Sequence, residues 1–400
     1  MTALSGPEPA LPGTARTGPF IDDVFETVAR EQVRHALQQL GIAFSEPLTV
    51  IPSVTSYVYM FESDVGRAVA KCSILGKARS SLRREGGVRA RELGEITRAQ
   101  REYAAASSAC LDEARGLRLL TGILGTDAVP RVIGLVDGVL VVAAERASTP
   151  SVADRDVPDE KASEASAYAV GLLERLWEYP PARLEPTDAD AVNRAHALGM
   201  VGTFRRKFLR GRHRRYVDRV VPSAELARGI SSLVETIART PWPSSKTMRL
   251  VYGDFKPEHV LLREGAQPML IDPLPAFGWR ECDIARFLMR MGLLSMSDSS
   301  RLPLLERVCA MLAARLPDDL DARLVQWFMA MDFVNIYTTR VCFQDQNQLP
   351  GSWDSGSVTL ETVAQMASGL RTTGGAADPY SLAVTTARLG DASCPSEIGA

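Results

Sequence analysis

Apolar residues recur every three or four positions through FIDDVFETVAREQVRHALQQLG, residues 20–41, with acidic residues early and a glycine last, a pattern that predicts a capped helix. Alternating β-branched and aromatic residues then take over in LTVIPSVTSYVYMFES and GRAVAKCSIL, residues 48–75. Two or three strands of a small antiparallel sheet are expected there, turned at Ser53 to Ser56 and at Ser63 to Gly66. Residues 76–101 interleave basic with acidic side chains and read as an exposed helical insertion. A helix through CLDEARGLRLLTGIL follows, and GLVDGVLVV reads as a hairpin turned on Asp137 and Gly138. From Ala165 onward helical periodicity dominates, interrupted by the strand-like runs of RLVYGDFKPEHVLLREGAQPMLIDPLP, residues 249–275.

The pattern gives an α+β chain of two lobes, a small N-terminal lobe with an antiparallel sheet and a larger, mainly helical C-terminal lobe. Residues 1–20 are expected to be disordered, 21–147 to form the first lobe and 148–345 the second, with the polar, proline-bearing STPSVADRDVPDEK as the hinge. Residues 346–400, rich in Gly, Ser, Thr and Pro, are expected to be loosely attached apart from a helix near LETVAQMASGL.

Length agrees with this division, since single cores stop growing at roughly 250–300 residues and the chain has 400. A formal net charge of −2 gives no overall attraction to nucleic acid or membrane. The six cysteines, at 72, 110, 282, 309, 342 and 394, form no CxxC pair, so free thiols in a reducing compartment are expected. With no signal-peptide pattern and no apolar run approaching the ~18 residues of a membrane span, a cytoplasmic protein is expected.

Candidate chemistry concentrates in 249–275. The apolar runs RLVY and PMLI each deliver an aspartate, Asp254 and Asp272, 272 − 254 = 18 residues apart with a turn at REGAQ between them. Pairing those runs as a hairpin would bring both carboxylates to one mouth, where one can take a proton and the other hold a cation. A single aspartate after a strand is an ordinary turn residue. Its company changes the reading.

The run YGDFKPEHVLL and the later MLIDPLPAFGWRECDIARF resemble the catalytic core of the aminoglycoside phosphotransferases and their small-molecule kinase relatives, which have a protein-kinase-like fold. That family shows H-G-D-x-x-x-x-N, an apolar strand ending in I-D-[WF], and G-[DE]-x-x-x-D-[LI]-A. The resemblance implies that Asp254 is the catalytic aspartate that orients or deprotonates an attacking hydroxyl. It likewise makes Asp272 the ligand of a Mg²⁺ that bridges nucleotide phosphates, and Asp283 a structural residue. Lys71 in RAVAKCS would pair with the phosphates, anchored by Glu113, or failing that by Glu102. The likeness covers roughly residues 46–340, with its specific motifs in 252–285.

Several positions depart from the family pattern. Tyr252 stands where His is usual, and Pro273 replaces the aromatic after the metal aspartate. His259 replaces the Asn that ligates metal, although imidazole is a less natural partner for hard Mg²⁺ than an amide oxygen. Lys256 would put positive charge near the transferred phosphoryl group. Around IPSVTSYVY there is no glycine, so phosphate contacts there would fall to backbone N–H groups and to Ser53, Thr55 and Ser56.

FRRKFLRGRHRRYVDR, residues 204–219, concentrates seven arginines and Lys207. It reads as a basic helix face or a substrate-steering surface, with Phe204, Phe208 and Tyr216 turned inward, rather than as a nucleic-acid site. Such a surface facing a cleft would disfavour polycationic aminoglycosides and favour neutral or anionic hydroxyl compounds. Asp332 and Asn335 are possible substrate contacts by analogy with late helices of the family.

The implied activity is transfer of the γ-phosphoryl group of ATP or GTP, with Mg²⁺, to a hydroxyl of a small molecule. An antibiotic, including a nucleoside or peptide antibiotic, is the favoured acceptor. A primary metabolite such as a sugar or amino alcohol is the alternative, as is a catalytically degenerate nucleotide-binding protein. The expected partners are a nucleoside triphosphate and a hydroxyl-bearing substrate, with no membrane or nucleic acid, and the chain is expected to be a monomer or homodimer.

Overall fold

The computed structural model describes residues 18–51, 56–73, 108–145, 149–190, 192, 199–209, 217–218, 221, 223–244, 247–316, 320–342, 358–371 and 379–391. The expected insertion at 76–101, the fallback Glu102, and residues 1–17 of the expected N-terminal segment lie outside them.

Helix α1 (Gly18–Gln39) precedes five strands, β1 (Thr49–Ile51), β2 (Ser56–Ser63), β3 (Gly66–Ser73), β4 (Val132–Val136) and β5 (Val139–Ala143). They form an antiparallel sheet in the order β1-β2-β3-β5-β4, with α2 (Ser108–Leu124) entering the chain between β3 and β4. Side chains alternate across a pleated sheet, and the sequence uses both faces. Tyr57, Tyr59, Phe61, Ala68, Ala70 and Cys72 meet Ala29, Val33, Ala36 and Leu37 of α1. On the opposite face Val58, Val69, Leu140 and Val142 join the larger core with Cys110, Ala114 and Leu117 of α2. Lys71, between Ala70 and Cys72, therefore points to the α2 face. The expected hairpin at Asp137 and Gly138 is present, both residues having positive φ, 48° and 76°.

The remaining chain is mainly helical: α3 (Asp159–Trp177), α4 (Met200–Phe208), α5 (Ala224–Arg239), α6 (Arg280–Ser297), α7 (Leu302–Arg315) and α8 (Ala322–Cys342). Helix α6 is buried at 13 of its 18 positions, so it has no solvent face and serves as the spine of the lobe. Among the described residues no helix is long and apolar enough to cross a membrane, and Cys72, Cys110, Cys282 and Cys309 are free thiols.

The strand pairing in 249–278 differs from the expected hairpin. RLVY does not pair with PMLI. Strand β6 (Arg249–Val251) pairs with β9 (Ala276–Gly278), while β7 (Val260–Leu261) pairs with β8 (Met269–Leu270) around the turn at 263–267. The cause lies in Gly253, whose φ of +83° turns the chain out of β6. A Cβ there would collide with the carbonyl oxygen of Leu274. The two carboxylates meet all the same, because Leu274 N–H donates to Tyr252 O (3.0 Å) and Ile271 N–H to His259 O (2.9 Å), which lays the second segment along the first.

The C-terminal region also departs from expectation. Helix α9 (Leu360–Arg371), at the expected place, and α10 (Pro379–Asp391) are not loosely attached. Val363, Met366 and Ala367 of α9, and Leu382, Ala383 and Ala387 of α10, belong to the main core. Gly292 of α6 lets α10 come close: a Cβ there would lie 3.4 Å from the Ala383 carbonyl oxygen.

Candidate active site

Lys71 projects from β3 between two acids. Its ammonium donates to Glu113 Oε1 of α2 at 2.6 Å and also to Asp272 Oδ1, which arrives from the segment after β8. Burial opposes the charge, but Asp272 and Glu113 hold the ammonium well above its ordinary pKa. In turn the Lys71 charge pulls Asp272 well below the carboxylate range. Burial pushes Glu113 upward against the pull of Lys71. One cation thus joins the sheet, α2 and the segment after β8.

Asp254 follows Gly253 and precedes Phe255, which is fully buried and stacked on Phe287 of α6 with ring centroids 4.5 Å apart. This anchor fixes the loop on the spine helix. Lys256 Nζ lies 2.9 Å from Asp254 Oδ2, and Arg286 Nη1 of α6 donates to Oδ1. Burial alone would raise the Asp254 carboxyl, but Lys256 and then Arg286 outweigh it and hold it at about 2. It is therefore an anion at any physiological pH and a feeble base in its resting state.

A short 3-10 turn, Pro257–His259, brings the imidazole back beneath Asp254. His259 Nδ1 is 3.0 Å from the Asp254 carbonyl oxygen, and Nε2 is 3.7 Å from Asp272 Oδ2. Burial, helped by the Lys256 charge, lowers the imidazole pKa. Asp272 itself keeps 49% of its side chain exposed and has a φ of +59°, a conformation aspartate tolerates better than most residues. Asp254, His259 and Asp272 each offer a ligand atom within 4.8 Å of the others. Two carboxylates and an imidazole suit a divalent cation, with Asp272 and His259 the pair whose oxygen and nitrogen face each other.

Of the remaining candidates, Ser56 opens β2 in register with Ser73 of β3, and Ser53 and Thr55 lie outside the described residues. Asp332 and Asn335, read as possible substrate contacts, are buried in the lobe instead. Asp332 is fully buried and accepts from Arg286 Nε at 3.1 Å, while Asn335 Nδ2 donates to Met200 O at 3.1 Å.

Asp283 has the structural position the resemblance implied. Its two oxygens accept from the backbone N–H groups of Tyr252 (2.9 Å) and Gly253 (2.8 Å), and Oδ2 also accepts from Trp177 Nε1 (3.2 Å). Burial pushes its carboxyl up to about 6 against these donors. Tyr252, in place of the usual His, steadies the loop differently, donating its hydroxyl to Ile271 O at 2.7 Å.

The residue that sequence reasoning missed is Arg286. It stands three positions after Asp283, on the same helical face, so the run CDIAR already carried the signal. Within the basic cluster, the described charges are engaged locally: Arg205 stacks 4.0 Å above the Trp242 ring and Lys207 donates to Thr339 Oγ1 at 2.9 Å. Phe204 and Phe208 are buried, as expected, and residues 210–216, including Tyr216 at the end of that run, lie outside the description.

No protein-family model matches the chain, and no curated protein matches it. Among solved structures, the chain is similar to spectinomycin phosphotransferase APH(9)-Ia in complex with ADP and spectinomycin, at 10% identity over 86% of this chain and 92% of that one, with a TM-score of 0.45. It is similar to the amicoumacin kinase hAmiN in complex with AMP-PNP, Ca²⁺ and Ami, at 14% identity over 84% and 99% of the two chains, with a TM-score of 0.47. A third likeness is to LicA in complex with AMP, at 12% identity over 86% and 98%, with a TM-score of 0.48.

Proposed function

We propose that the chain is an O-phosphotransferase that moves the γ-phosphoryl group of ATP or GTP to a hydroxyl of a small molecule. The observation that carries this reading is the convergence of Lys71, anchored by Glu113, on Asp272, with Asp254 on the far side of His259. Nucleotide would lie between a first lobe ending near residue 147 and a second beginning near 148.

Lys71 would bind phosphate oxygens, held in place by Glu113 when it exchanges part of its contact with Asp272 for the nucleotide. Asp272 and His259 would hold a divalent cation, which when bound supplies charge neutralisation between the phosphates. Asp254 would accept a hydrogen bond from the acceptor hydroxyl and aim its oxygen at the γ-phosphorus. As that O–P bond forms and the bond to the β-phosphate oxygen breaks, the hydroxyl proton passes to Asp254 and then to solvent. The low pKa of Asp254 suits a loose transition state, in which the hydroxyl loses its proton late and orientation matters more than basicity. Lys256, 2.9 Å from Asp254, would offset the charge on the transferring group. An antibiotic hydroxyl is the acceptor class favoured by the motif resemblance in residues 252–285.

Calorimetric titration of ATP and GTP analogues with Mg²⁺ tests the reading on wild type and Lys71→Met. Binding of at least one nucleotide, weakened in the variant, is expected. No binding of either would overturn it.

A further inference from the structure

Helices α3 and α6 bring opposite ends to one cleft of about 420 Å³, which Lys71, Asp254, His259 and Asp272 do not line. There α3 ends at Trp177, so its last carbonyls lend negative character, and exposed Glu178 adds a full charge. Helix α6 begins at Arg280, where the helix end is positive and Trp279 supplies no side-chain cap. Pairing of β6 with β9 sets Arg249 in register with Gly278, just ahead of Arg280, and so brings both arginines to the cleft. Arg280 keeps Glu281 Oε1 at 3.7 Å. The side chains of Arg249 and Glu178 have no ion pair or hydrogen bond among the described residues. Glu174, the other acid at the cleft, is already held by Arg315 at 2.9 Å. The rest of the lining is aromatic or proline. Trp177 donates its one polar hydrogen to Asp283 Oδ2 at 3.2 Å, and Tyr179, Pro180 and Pro181 complete the surface.

We propose that this cleft binds an aromatic zwitterion of the α-amino acid class, with its carboxylate on Arg249 beside Arg280, its ammonium on Glu178 and its ring against Trp177, Tyr179 and the prolines. Its size lies in the range of small-molecule sites, roughly 300–1,000 Å³, and it pairs apolar walls with a few charged groups as such sites do. Charge sign sets the class. A plain anion would meet Glu178 and the carbonyl end of α3, and a plain cation would meet the arginines and the N–H end of α6, whereas a zwitterion matches both. Arginine adds a planar fork that suits a carboxylate. An occupant would also brace Trp177, which holds Asp283, which in turn holds the N–H groups of Tyr252 and Gly253 ahead of Asp254. The inference stands apart from the phosphotransferase reading, because binding at this cleft requires neither nucleotide nor phosphoryl transfer.

The test titrates the full chain with L-naphthylalanine by calorimetry, beside its carboxamide, which lacks the carboxylate, and its N-acetyl derivative, which lacks the ammonium. A dissociation constant on the order of 10⁻⁴ M is expected for the zwitterion, with each derivative roughly tenfold weaker. Arg249→Gln should weaken the zwitterion roughly fivefold and leave the carboxamide unchanged, and Glu178→Gln should do the same with the N-acetyl derivative unchanged. Both side chains are exposed, so neither substitution threatens the fold, and the comparison of the three ligands on wild type needs no variant. In the wild-type protein the indole N–H resonance of Trp177, assigned through Trp177→Phe, should shift as the zwitterion saturates. No saturable binding at several millimolar, equal affinity for either derivative, unchanged binding in either variant, or a Trp177 resonance that does not move would each overturn the proposal. Full displacement of the zwitterion by an ATP analogue with Mg²⁺ would overturn it as well, by putting the probe in the active site. Each of these failures leaves the phosphotransferase reading standing, since none of the readouts passes through phosphoryl transfer.

Discussion

Arg286 grips Asp254 from the spine helix. Its Nη1 donates to the Asp254 carboxylate and, at 3.0 Å, to the Gly253 carbonyl, so one nitrogen fixes both the side chain and the backbone before it. The opposite edge of the guanidinium is held by buried Asp332. This makes Arg286 a positioning residue.

Arg286→Lys keeps a charge but loses the planar fork that reaches three acceptors at once. The expected result is a fall in kcat of about 10²-fold with the nucleotide KM little changed. Because the Arg286 cation helps hold Asp254 at about 2, weakening it raises that pKa, and the acid limb of kcat/KM should move to higher pH. A purely structural role would leave the limb where it was.

Asp283 titrates in the other direction. Its folded-state carboxyl is pushed up to about 6 from 3.8, so the folded protein binds more protons than the unfolded chain between those values. Its contribution is complete below about 4 and is lost as pH rises through about 6. Relative to Asp283→Asn, wild type should lose roughly 3 kcal/mol of unfolding free energy across that window, on the order of the two-unit shift. Urea unfolding of both proteins from pH 4 to 7 checks this; a constant difference would refute it.

Gly253→Ala combines a positive φ with a collision against the Leu274 carbonyl oxygen, in the turn that sets Asp254. A loss of about 3 kcal/mol or more is expected, together with loss of phosphoryl transfer. Chemical denaturation compared with Gly265→Ala, a positive-φ glycine with open space around it, separates backbone strain from steric collision.

Removal of residues 358–400 should be far more damaging than loss of a loose tail. It strips Met366, Leu382 and Ala383 from the core and uncovers α6. The truncated chain should be insoluble or unfold without cooperativity, as measured by calorimetry. Full stability after truncation would contradict the packing described.

Much of the candidate site is legible in the sequence because Asp254, His259 and Asp272 fall in one short span whose residue order carries the resemblance. Lys71 is legible through strand alternation, since its neighbours Ala70 and Cys72 belong to the other face. The strand partners were not, because a single positive-φ glycine sends RLVY to β9, and apolar run length says nothing about partner choice. Arg286 was missed because a buried arginine is read as surface until the acids around it are known. Of the C-terminal helices α9 was expected, whereas α10 and the burial of both were missed, because alanine and threonine pack closely without the strong hydrophobicity that marks a core helix.

The most direct measurement is the mass of a hydroxyl-bearing acceptor, from a panel of antibiotics and metabolites, after incubation with ATP or GTP and a divalent cation, using wild type and Asp254→Ala. The account predicts a gain of one phosphoryl group on at least one acceptor, reduced at least 10²-fold in the variant. Undiminished transfer by Asp254→Ala, or nucleotide binding with no transfer to any acceptor class, would contradict it.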